Sequence, residues 1–132
     1  MHPELARATQ LVAGGDYLYL ATPYSQYEGG LDCAAAVACR YAGRLIQLGL
    51  PIFCPIAHSH GIAEEAGLPY CDHNIWLPLD RVFIKHAAGL IVLQMAGWEV
   101  SRGVRQEIKW FEEAGKPILY LSPGDIDAER LP

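Results

Sequence analysis

Apolar residues fall into two kinds of run along the chain. Four runs are short and continuous: Tyr17-Leu18-Tyr19-Leu20-Ala21, Ile52-Phe53-Cys54, Gly89-Leu90-Ile91-Val92-Leu93 and Ile118-Leu119-Tyr120-Leu121. Runs of this length, rich in aliphatic and aromatic residues, predict strands buried on both faces. Between them the apolar positions recur every three or four residues. Leu5, Ala8, Leu11 and Val12 predict a short helix over residues 3–13, ended by Gly14-Gly15-Asp16. Val37, Tyr41, Leu45 and Leu48 predict a helix from Asp32 to Leu48, with Asp32 as candidate cap and Gly49 as left-handed terminator. Two more helices are predicted from Leu79 to His86 and from Ser101 to Ala114, the second stopped by Gly115-Lys116-Pro117. Ala57 to Leu77 shows no clear period and reads as a long binding loop or lid. The tail from Ser122 is polar and is expected to add little to the core.

Helix and strand therefore alternate, and the strands are apolar throughout. That pattern predicts a parallel sheet covered by helices on both sides. Ligands in such sheets bind beyond the carboxyl ends of the strands, where strand order reverses. Four segments meet that condition: Thr22 to Gly30, Ala57 to His60, Gln94 to Val100, and Ser122 to Asp125.

Composition narrows the partners. Of 132 residues, 52% are hydrophobic and 19% charged, enough for one packed core and too little charge for disorder. Ten Lys and Arg stand against 15 Asp and Glu, with no basic stripe for a nucleic acid. The longest apolar stretch, Ala87 to Met95, is about half of a membrane crossing. The amino terminus lacks the pattern of a signal peptide, and Cys33, Cys39, Cys54 and Cys71 form neither a disulfide framework nor a CxxC pair. A cytoplasmic domain is expected. Trp76, Leu77 and Trp98, placed in loops, and the open edges of a small sheet predict a homo-oligomer, a dimer or higher.

Candidate chemistry starts with Glu107. At about 100° per residue it lies about 60° from Val104, on the margin of the Val104–Ile108–Phe111 stripe that faces the sheet. A carboxylate there either pairs locally with Arg105, Lys109 or a neighbouring element, or meets a ligand. Gly103, one turn earlier, would let a ligand approach the helix closely. Asp80 is either a helix cap or a second functional acid. Tyr17 and Tyr19 share one face of the first strand, and a buried tyrosine there needs a partner such as Glu107. Trp98 or Tyr24 could stack on a ligand or cover the sheet edge.

His58-Ser59-His60 with Cys71-Asp72-His73 could form a metal site, but the spacing matches no closed zinc motif, and no metal or cofactor is expected. His58 or His60 is read instead as a hydrogen-bonding partner for a ligand. Glycine-rich phosphate loops are absent from the sequence. Ser101-Arg102-Gly103 remains a milder phosphate site at a helix start, or else a plain serine cap.

These residues resemble a known superfamily. Tyr17-Leu18-Tyr19-Leu20-Ala21-Thr22-Pro23-Tyr24 looks like the opening strand and loop of the nucleoside 2-deoxyribosyltransferase-like superfamily. Ser101-Arg102-Gly103-Val104-Arg105-Gln106-Glu107-Ile108 resembles its nucleophile helix. With His58-Ser59-His60 and Gly97-Trp98-Glu99, nearly the whole chain is most similar to a small bacterial family described as a domain of unknown function. The resemblance implies one domain over residues 1–132: a three-layer, Rossmann-like (flavodoxin-like) α/β sandwich with a four-stranded parallel sheet in order 2-1-3-4.

It also implies cleavage or transfer at the C1′–N bond of a nucleoside or its 5′-monophosphate through a glycosyl-carboxylate intermediate. By the same resemblance Glu107 would be the nucleophile, Tyr19 its orienter and Asp80 the proton partner. Ser101 stands where deoxyribosyltransferases carry an acid and nucleotide hydrolases a phosphate-binding serine, with Arg102 as helper. Gly103, Thr22, Tyr24, Ser25, His58 and Trp98 complete the expected binding set. The alternative is a non-catalytic binder of a nucleotide-derived ligand on the same fold.

Overall fold

A computed structural model describes residues 1–132. The four apolar runs form β1 (Leu18–Ala21), β2 (Ile52–Phe53), β3 (Gly89–Leu93) and β4 (Ile118–Leu121). All pairings are parallel, in the order β2-β1-β3-β4, with Leu18 opposite both Ile52 and Gly89, and Leu90 opposite Ile118. Six helices surround them: α1 (Pro3–Leu11), α2 (Leu31–Gln47), α3 (Pro55–Ala66), α4 (His73–His86), α5 (Arg102–Glu113) and α6 (Pro123–Asp127). The result is a three-layer α/β sandwich of the Rossmann-like kind.

Alternation along the strands divides the core in two. Leu18, Leu20, Ile91, Leu93, Leu119 and Leu121 point to the side of α1, α2 and α6, where Leu5, Ala38, Leu45 and Ile126 meet them. Tyr19, Ala21, Leu90 and Val92 point the other way, onto Ile84 of α4 and Val104 and Phe111 of α5. Tyr19 and α5 therefore share a face, which fixes the site described below.

Five expectations change. The long loop is two helices. Pro55, with φ already set for a first turn, starts α3, and Gly67, left-handed at φ +68°, ends it. Its buried stripe is Pro55, Ser59 and Ala63, too small and polar to stand out as apolar periodicity. The helix expected from Leu79 begins instead at His73, with Asp72 accepting from the Asn74 N–H as its cap. Asp32 is not a cap either: Gly30 (φ +89°) precedes α2, and Asp32 lies in the first turn with its side chain free for other work.

The tail also contributes. Ser122 and Asp125 form a reciprocal capping box on α6, which places Ile126 fully inside the core. Trp76 and Leu77 sit on α4, Trp76 buried, and Trp98 is half-buried against the Tyr120 ring, so these residues form no exposed loop patch. No helix is long and apolar enough to cross a membrane.

Candidate active site

Ser101 opens α5, its side-chain oxygen accepting the Val104 N–H at 3.3 Å. From that start, helical spacing carries Val104, Glu107 and Phe111 inward as one buried stripe. Glu107 is only 7% exposed. Its partner is neither Arg105 nor Lys109 but Tyr19, whose hydroxyl donates to Oε2. Burial pushes Glu107 up to about 8, while the Tyr19 hydrogen bond pulls it down and the nearby Asp80 pushes it up. Burial, then the charges of Glu107 and Asp80, hold the Tyr19 phenol well above its ordinary value, so it remains a donor.

Asp80 is in the middle of α4, not at its start, between buried Trp76 and Ile84 at i−4 and i+4. It is partly buried, and burial pushes it up to about 7. With both carboxyls raised by burial, the site keeps part of its protons at neutral pH. The Tyr19 donor favours the negative charge on Glu107, and the deeper burial of Glu107 opposes it.

Both acids line one cleft at the carboxyl end of β1, of about 640 Å³ with its open mouth included. Thr22, Tyr24, Ser25, Ser101 and Gly103 line it with them. Thr22 Oγ1 is buried and has no partner in the protein, an arrangement that costs about 1–3 kcal/mol unless a ligand meets it. A Cβ on Gly103 would meet nothing within 4 Å, so packing does not require glycine there. The loops after β1 and β3 flank an adjoining groove, with Pro23, Tyr24 and Gln26 on one side and Ala96, Gly97 and Val100 on the other.

Four expected residues do not line the cleft, and the first, Tyr19, is fully buried and reaches it only through its bond to Glu107. Arg102 is exposed with Arg105, Gln106 and Lys109 on another face of α5, because Gly103 and Glu107 occupy the inward one. His58 is exposed and packs against the Phe53 and Phe83 rings. Trp98 covers Tyr120. Tyr17, on the same face as Tyr19, donates to the Phe83 carbonyl and takes no part.

The sequence reading missed Tyr70 and the lining role of Trp76, and weighed Ser59, Cys71 and His73 only within a possible metal set rather than as cleft residues. The Pro55 and Gly67 helix signals would have placed Ser59 on an inward face. His58 and His60, two residues apart on a helix, point about 200° apart and cannot share an ion. His60 instead reaches Tyr24 and Asp32, at 2.5 Å and 2.9 Å. Polar side-chain atoms of Asp32, His60 and Glu64 lie within 4.8 Å of one another, with both carboxylates exposed.

A family described as "Domain of unknown function (DUF1937)" matches residues 16–122, a span that contains every residue of the cleft. No curated protein matches the sequence.

Proposed function

The chain belongs to the DUF1937 family, and we propose that its cleft is the active site of a cytoplasmic N-glycosidase or deoxyribosyltransferase acting on a nucleoside 5′-monophosphate or nucleoside. The observation that carries this reading is a buried carboxyl, Glu107, aimed by the Tyr19 hydroxyl in a cleft that holds a second raised acid, Asp80. Retaining glycosyl transfer needs that pair: a carboxylate below the anomeric carbon and a proton for the departing group. In the state with Glu107 ionised and Asp80 protonated, Glu107 attacks C1′, and the C1′–N electron pair leaves with the base, which takes the Asp80 proton. Positive charge developing on the sugar draws the negative charge of the pair onto Glu107. Water or a second base then attacks C1′ and frees Glu107. The likeness of this strand and helix to the deoxyribosyltransferase-like superfamily supports the same assignment.

The Ser101 hydroxyl and the free N–H groups at the start of α5 would receive a 5′-phosphate, with the helix dipole in place of the outward Arg102. Thr22 Oγ1 offers a further hydrogen bond. A panel of ribo- and deoxyribonucleosides and their 5′-monophosphates, read for free base with and without an acceptor base, tests the reading. Free base alone marks a hydrolase and base exchange a transferase. Saturable binding with no release from any member would make the protein a nucleotide binder instead. Ser101→Ala is expected to weaken phosphorylated substrates roughly tenfold more than free nucleosides, beyond about 1 kcal/mol of lost helix cap.

Gly103→Ala separates ligand from fold. Alanine should stabilise α5 by about 0.5–1 kcal/mol, since its Cβ meets no protein atom. In the same variant, ligand affinity should fall. Urea melts and a binding titration check both signs, and unchanged affinity would mean that no ligand approaches the helix there.

A further inference from the structure

We propose that Tyr24, His60 and Asp32 form a proton relay that activates the incoming water or acceptor in the second half of the reaction. The inference rests on the glycosyl-carboxylate reading above. Tyr24 would be the catalytic residue, touching the attacking group. His60 and Asp32, acting through it, would be positioning residues.

Donor and acceptor accounting fixes the direction. An Asp32 carboxylate can only accept, so His60 Nε2, 2.9 Å from Oδ1, carries the hydrogen. In the neutral imidazole Nδ1 is then bare, and Tyr24, with its oxygen 2.5 Å away, must donate to it. Tyr24 is one of the residues that line the cleft, and its oxygen keeps its lone pairs to accept a further hydrogen bond. A hydroxyl backed by an imidazole and a carboxylate is the acyl-hydrolase arrangement with the two ring nitrogens exchanged. Burial pushes the Tyr24 phenol up to about 12, so it gives up its proton only as it receives another.

Position agrees with the second half-reaction. Glu107 comes from α5, whereas Tyr24 packs on Ala34 and Ala35 of α2 and His60 belongs to α3. Retention requires water to reach C1′ from the side opposite Glu107. As its oxygen bonds to C1′, the ester bond to Glu107 breaks and the electron pair returns to the carboxylate. The water proton passes to Tyr24, and the Tyr24 proton to His60 Nδ1. The imidazolium so formed faces the carboxylates of Asp32 and Glu64. The chain then reaches bulk water, because the His60 side chain is 12% exposed and that of Asp32 90%.

The test is rapid-quench base release from whichever panel member the wild type cleaves, comparing Tyr24→Phe with Asp32→Asn. The second change is on the surface and leaves the core intact. Both variants should release about one equivalent of base in a burst, then turn over slowly, roughly 10²-fold below wild type for Tyr24→Phe. Asp80→Asn should be slow without a burst. Wild-type turnover in Tyr24→Phe, or slow release without a burst, would overturn the relay while leaving the glycosidase reading standing. If the wild type releases no base at all, both fall.

Discussion

Glu107→Gln should abolish base release, lowering turnover by roughly 10³-fold or more, while ligand affinity stays within a few-fold of wild type. The amide keeps the volume of the carboxylic acid and can still accept from Tyr19, whose hydroxyl is the donor in this buried pair. What it lacks is a nucleophilic oxygen for C1′. Chromatographic rates and a binding titration on the same preparation separate the two effects. Loss of binding in parallel with turnover would mean that Glu107 holds the ligand rather than reacts with it.

The second large effect is on stability, and it has the opposite sign. Glu107 and Asp80 are raised by burial to about 8 and about 7, against unfolded values of about 4. The folded state therefore holds protons that the unfolded chain has released. Their contribution is fully present below about pH 4 and is lost as pH rises through about 7–8. For Glu107 the loss is on the order of 5 kcal/mol, and the more exposed Asp80 adds less. Urea midpoints at pH 5 and pH 8.5 should fall steeply for wild type and much less for Glu107→Gln. At pH 8.5 the inactive variant should be the more stable protein, as expected where a functional carboxylate is buried at the expense of stability. Parallel pH profiles would show that Glu107 is not held against its ionisation.

Much of this site could be read from periodicity. Alternation placed Tyr19 on one face of the first strand, and the 100° projection put Glu107 beside Val104; both meet in the same buried cluster. Asp80 was harder. Pro78, inside α4, and the polar stretch before it hide a helix whose inward positions Trp76, Asp80 and Ile84 are spaced by four. Only with the helix extended back to the Asp72 cap does Asp80 fall on that line.

The α3 face was hidden because Ser59 and Ala63 carry almost no hydrophobic signal. Ser122 and Asp125 spelled a cap for α6, but a short helix with one buried residue, Ile126, leaves little periodicity to see. No local pattern links Tyr24 to His60 or His60 to Asp32. Those contacts depend on the packing of α2 and α3 beyond β1 and exist only in the folded chain. Arg102 shows the converse: adjacent in sequence to Ser101 and Gly103, it is turned away from them by the helix itself.

The central claim is a covalent bond between sugar and Glu107, and mass spectrometry of the acid-quenched protein tests it most directly. A nucleotide bearing fluorine at C2′, which destabilises the oxocarbenium-like transition states on both sides of the intermediate, should let the adduct accumulate. One glycosyl group per chain is expected on the peptide that contains Glu107, with the free base released in equal amount and neither product seen with Glu107→Gln. Base released with the label on another residue, or with turnover but no label, would contradict the account.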